Sequence, residues 1–185
     1  MGIRERILTA CRELARVKGF YNMSMDELAK QAGVSKRTIY RYFRSKEEII
    51  EASLDGFMAQ MALEVEKILK QQEPAPEMIA AVMKQLFTHG QFITNPVGLH
   101  DLRVHYPQLW AKIDAFRLEK ARGAISVYIQ QSKNPILQET DPRIITAITL
   151  ASIQAVINPD FIIENGLTFE STITQLSKFL IASFL

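Results

Sequence analysis

The chain has 185 residues, 48% of them hydrophobic, with 22 Lys/Arg against 20 Asp/Glu and a single cysteine. That is enough apolar chain to bury a real core, which excludes disorder, and one cysteine excludes an internal disulfide and a cysteine-rich zinc site. The net charge of +2 says little, but residues 1–50 hold 11 Lys/Arg against 6 Asp/Glu while residues 51–185 hold 11 against 14, so only the head is suited to phosphate.

Apolar residues recur at helical spacing and no stretch alternates like a strand, which predicts an all-α fold of about nine helices. Ile3, Ile7, Cys11, Leu14 and Val17 mark a first helix that stops at Gly19, and they place Cys11 at a buried apolar position. Phe20 and Tyr21 lead to Ser24, which with Glu27 forms a capping box that opens the second helix. Gly33 supplies the left-handed turn, Val34 plugs the corner and Ser35 caps a short third helix. Ser45 with Glu48 makes a second capping box, and the fourth helix then runs to about Gln72. The segment QQEPAP, residues 71–76, interrupts the chain before a fifth helix with Met78, Ile79, Val82, Leu86 and Phe87 on its apolar side. Thr94-Asn95-Pro96 ends it. A sixth segment spans Pro96 to His105, and a seventh runs from Pro107 to about Lys133, where Asn134-Pro135 stops it. Pro142 opens an eighth helix to about Ile157, Asn158-Pro159 breaks that, and a ninth runs from Thr168 to the end. The division this predicts is a helix-turn-helix domain at 1–48, linked by helix 4 from residue 46 to a body at 49–185. No leader is visible and no apolar run reaches the roughly 18–20 residues of a membrane span, so a soluble cytoplasmic protein with no membrane partner is expected.

The stretch GVSKRTIYRYFRSKEEII, residues 33–50, carries most of the functional signal. On a helical wheel Lys36, Arg37, Tyr40, Arg41 and Arg44 fall on one arc, with Ile39, Tyr42 and Phe43 toward the other. A short helix that is apolar on one side and cationic on the other suits the DNA major groove. A charged arc alone is equally a solvated face. Two capping boxes, the Gly-Val turn and the Thr-Ile-Tyr spacing together favour DNA.

Leu28-Ala29, Ala32-Gly33-Val34-Ser35, Thr38-Ile39-Tyr40, Tyr42-Phe43 and Ser45-Lys46-Glu47 make residues 3–50 resemble the DNA-binding head of TetR-family transcriptional regulators. The resemblance implies a double-stranded DNA operator as partner, with Thr38, Tyr40 and Lys46 on phosphates. It places Lys36, Arg37 and Arg41 at base edges and Tyr42 near the backbone. Arginine can take guanine O6 and N7 together, whereas phosphate contacts set register but carry little sequence information. Met25 departs from the small polar or cationic residue of many relatives, so a side-chain phosphate bond is not expected there.

A single head reads about half of an operator, so a homodimer is expected. The last two helices are broadly apolar and supply its candidate face: Ile144, Ile148, Ala151 and Ala155, then Ile173, Leu176 and Leu180. A helix buried within one chain would show the same pattern. The resemblance implies a small-molecule effector held among the central helices, for which Met61, Phe87, Trp110, Phe116 and Tyr128 are candidate lining residues, although such residues also fill solid cores. In HDLRVHY, residues 100–106, His100 and Arg103 are candidate ligand contacts with His105 beside them. His100, Asp101 and His105 are metal-ligand types, but their spacing does not share one helical face, so no metal is expected. No cofactor fingerprint, P-loop or nucleophile-base pair is present, and no enzyme is expected. Two readings remain: a ligand-responsive regulator, most often a repressor, and an architectural or partner-controlled DNA binder with a solid core.

Overall fold

The computed structural model describes residues 1–71, 78, 81–82, 85 and 89–184. Among them lie eleven helices and no strand: α1 Ile3–Lys18, α2 Met25–Ala32, α3 Lys36–Tyr42, α4 Lys46–Lys70, α5 Gln91–Thr94, α6 Pro96–His105, α7 Pro107–Gln131, α8 Pro135–Glu139, α9 Pro142–Val156, α10 Pro159–Glu164 and α11 Phe169–Phe184. The expected fifth helix, with Ile79, Leu86 and Phe87, lies largely outside the described residues.

The first three helices form because their ends are chemically defined. Glu27 N–H donates to Ser24 Oγ at 3.2 Å while Ser24 N–H donates to Glu27 Oε2 at 2.9 Å, a complete capping box. Gly33 takes φ 62° and ψ 41°, and Val34 N–H reaches back to the Ala29 carbonyl at 3.0 Å, which terminates α2. Thr38 N–H donates to Ser35 Oγ at 3.0 Å to start α3. At α4 the expected second box is altered. Glu48 N–H donates to Ser45 Oγ, but the Glu48 carboxylate accepts from Arg44 N–H at 2.5 Å rather than from the cap residue's own amide.

The difference from about nine helices has a local cause. Asn95, Asn134, Asp141 and Asn158 each cap a helix with the side-chain oxygen and are each followed by proline at the first helical position. Asn134-Pro135 and Asn158-Pro159 read as breakers, yet each also starts a short helix, since proline's fixed φ fits the first turn and its missing N–H is not needed there.

Ile7, Leu8, Cys11 and Ala15 of α1, Leu28 and Ala32 of α2, Ile39 of α3 and Ile49, Ile50 and Leu54 of α4 are buried in one cluster, which continues through Phe57 and Met61 to Phe92, Leu99, Leu102 and Leu109. Phe92 meets Phe20 and Phe57 edge-on, with ring centroids 6.2 and 5.8 Å apart. Cutting a fully buried residue such as Ile7 or Leu28 to alanine costs about 2–5 kcal/mol. Burial raises the Cys11 thiol to about 11, so it stays a protonated core group.

α1 packs on α2, α4, α5 and α6, while α7 lies against α4, α6 and α9. The first helix of the head is therefore held from two sides: by α4, which is continuous with the body, and by α6, which belongs to it.

Candidate nucleic-acid interface

α3 buries only Ile39 and turns its remaining surface outward. Lys36, Arg37 and Arg41 are exposed, as are Tyr40 and Tyr42, and Thr38 is half-buried with its hydroxyl 2.9 Å from Ser35 Oγ. These neighbours form one cationic, aromatic surface on a seven-residue helix, a form and charge suited to a major groove.

The cations are not equivalent. Lys36 Nζ lies 3.0 Å from Asp26 on α2, so one carboxylate already sits at the front of the site. The Arg41 guanidinium lies over the Tyr42 ring at 5.4 Å. Arg37 has no ion-pair partner among the described residues. Lys46 faces inward in part: its Nζ donates to the carbonyls of Tyr21 at 2.7 Å and Met23 at 3.0 Å and stands 5.7 Å from the Tyr21 ring centroid. Burial lowers its pKa, opposed by the charge of Asp101. An ammonium has three donors, so one remains for a phosphate.

Three residues outside the sequence expectation belong to this region. Arg6 Nη2 donates to the carbonyls of Ala32 and Gly33 at 2.6 and 2.8 Å, so α1 holds the turn between α2 and α3. Arg4 places its guanidinium over Phe43 at 5.4 Å. Tyr21 connects the head to α6: its N–H donates to Asp101 Oδ2 at 2.9 Å and its ring stacks on His105 at 3.7 Å with planes 16° apart. No periodicity marks a contact across so much chain.

The candidate ligand residues differ in placement, although Trp110 and Phe116 pack against the core cluster that contains Met61. Met61 is buried in the core, His100 is exposed, and Phe87 lies outside the described residues. Trp110, Phe116 and Tyr128 are half-buried along α7, where Lys120 covers the Phe116 ring at 5.4 Å and burial raises the Tyr128 pKa. Arg103 and Trp110 share a cleft of about 340 Å³ with Asp114, Arg117, Gln154, Asn158 and Asp160. Arg103 pairs there with Asp160 at 2.5 Å, and Arg117 with Asp114 at 2.5 Å. Asp101 turns to the head while His100 turns to solvent, and among the described residues no three His, Cys, Asp or Glu side chains converge.

On the candidate dimer face, Ile144 and Ile148 are 53% and 55% exposed, and Ala151 and Ala155 are exposed beside them. On α11 the arrangement differs from expectation. Ile173 is buried within the chain and Leu176 and Leu180 are half-buried, whereas Phe179 is 68% exposed. A stripe wide enough to serve both sides does not reveal from sequence which edge faces inward.

Residues 7–53 match the family described as bacterial regulatory proteins, tetR family. The chain is 26% identical over 166 residues to the HTH-type transcriptional regulator YvaF of Bacillus subtilis, which spans 89% of this chain and 86% of that one. Its fold is similar to a TetR transcription regulator from Haloarcula marismortui, with TM-score 0.71, 12% identity and 98% and 96% of the two chains covered. It is similar also to the transcriptional regulator FadR from Bacillus subtilis, solved in complex with stearoyl-CoA, with TM-score 0.62, 21% identity and 95% and 96% covered.

Proposed function

We propose that this chain is a regulator of the tetR family, whose model its residues 7–53 match, and that it binds a palindromic DNA operator as a homodimer and is released by a small-molecule effector. The outward surface of α3 carries this reading: Arg37 and Arg41 stand exposed beside Tyr40 on a helix whose opposite side, at Ile39, is fully buried. Arg37 and Arg41 read bases, while Thr38, Tyr40 and the third donor of Lys46 hold phosphates. Ile144, Ile148, Ala151 and Ala155 of α9, with Phe179 of α11, meet their symmetry mates, and repression follows from occupancy of the operator.

The effector acts on the body. FadR from Bacillus subtilis binds an acyl-CoA, which makes apolar acids and their thioesters the first class to screen. Arg103, Trp110 and the half-buried aromatics of α7 are the candidate contacts. A ligand releases DNA only if it binds the low-affinity state more tightly.

The test is selection from random duplex DNA at near-physiological salt. Enrichment of one inverted repeat supports a dimeric, sequence-specific regulator. Salt-sensitive binding to all duplexes without enrichment supports an architectural role and overturns the proposal.

A further inference from the structure

Head and body are joined by α4, which crosses from one to the other, and by the packing of α1 on α5 and α6. Tyr21, in the link between α1 and α2, adds a polar contact to α6. Its N–H donates to Asp101 Oδ2 at 2.9 Å, and its carbonyl accepts from Lys46 Nζ at 2.7 Å. The residue is thus held between a carboxylate on α6 and an ammonium at the start of α4. His105, one turn after Asp101, stacks on the Tyr21 ring at 3.7 Å. Asp101 is only 4% exposed, so its charge is kept from water and directed at this contact.

Gly19 shows how closely the parts meet. Its φ is +79°, and a Cβ there would lie 2.2 Å from Asp101 Oδ2 and 2.7 Å from Val97. The end of α1 and the side of α6 therefore approach to a distance that only glycine permits. Asn95 adds a polar contact from the loop before α6 to the Ala15 carbonyl at 3.5 Å.

We propose that Asp101 is a positioning residue for operator binding: through the Tyr21 backbone and the His105 stack it fixes the orientation of the helix-turn-helix on the body, and so the distance between the two heads of a dimer. This rests on the dimeric operator reading. Asp101 makes no DNA contact in this account. A carboxylate hydrogen bond that holds only the orientation changes which half-site spacing is preferred and leaves the affinity of one head for one half-site alone.

The experiment uses the full chain and the inverted repeat that it selects, rebuilt with the spacer longer or shorter by one base pair, and a single half-site duplex. Wild-type protein is expected to prefer one spacing. Asp101→Ala is expected to lose about tenfold of that preference with half-site affinity unchanged, and Asp101→Asn, which keeps a carbonyl acceptor, to retain most of it. His105→Ala removes the stack without burying an unpaired group, and it is expected to lose part of the preference even if Asp101→Ala does not fold. Amide exchange over residues 19–24 is expected to quicken in Asp101→Ala. An Asp101→Ala protein with wild-type spacing preference overturns the proposal, as does a parallel fall in half-site affinity or unchanged amide exchange. A wild-type protein that selects no inverted repeat overturns the operator reading itself, a different outcome from the rest.

Discussion

Arg6 and Gly33 are 27 residues apart, yet the Arg6 guanidinium donates to the Gly33 carbonyl at 2.8 Å and to the Ala32 carbonyl beside it at 2.6 Å. The turn of the helix-turn-helix is thus held from α1 as well as by its own backbone. Gly33→Ala must place a side chain at φ +62°, with its Cβ 2.6 Å from Arg6 Nη2. Arginine can swing away, so the backbone term dominates and the substitution is expected to cost about 1–2 kcal/mol, read as a lower Tm. Operator affinity should fall with it.

On the outward surface of α3, Lys36 is already paired to Asp26. Both groups are exposed, so the pair stabilises the fold by only about 0.2–1 kcal/mol. The Asp26 carboxylate also opposes an incoming phosphate. Asp26→Asn is therefore expected to tighten binding severalfold at low salt, with the gain fading as salt screens it. A titration of labelled operator at two ionic strengths checks both parts.

Arg37→Ala is expected to relax preference at one base position by about 1–3 kcal/mol if the guanidinium takes guanine bidentately. The check compares all four bases at each half-site position. Lys46→Ala should behave differently, because it also releases the carbonyls of Tyr21 and Met23. It is expected to lower Tm and to weaken every sequence alike.

Glu27 holds the start of α2, and its carboxyl is lowered from 4.5 to about 2, first by the Lys18 hydrogen bond and then by the Ser24 amide and hydroxyl. A depressed carboxyl contributes stability that is full above its unfolded value and lost as pH falls from 4.5 toward 2. Glu27→Gln should therefore be less stable than wild type at pH 6, and the two Tm curves should converge in acid.

Ile148 is more than half exposed in the single chain. Ile148→Glu is expected to leave helicity unchanged while sedimentation shows a monomer. Affinity for the full inverted repeat should drop far more than affinity for one half-site.

The head was largely legible because its signals are local: Ser24, Gly33 and Ser35 act on groups within a few residues of themselves. The second box illustrates the limit, since Ser45 acts as expected while Glu48 chooses the Arg44 amide. The body was less legible. Asn134-Pro135 and Asn158-Pro159 carry the same letters whether they end one helix or begin another. Ile173 and Phe179 share a broad apolar helix, and only packing decides that the first turns inward. Tyr21 and Asp101 meet across 80 residues, and nothing in either neighbourhood announces the other.

The asparagine-proline starts also bear on how the molecule ages. Deamidation proceeds when the backbone nitrogen of the next residue attacks the side-chain amide and closes a succinimide ring. Proline has no N–H to do so, which closes that route at Asn95, Asn134 and Asn158, the residues whose side chains cap α6, α8 and α10. Asn165 is exposed and followed by Gly166, which has no side chain to hinder the attack. Chemical wear in stored protein should therefore begin at Asn165, where α10 ends, and spare the asparagines that start helices.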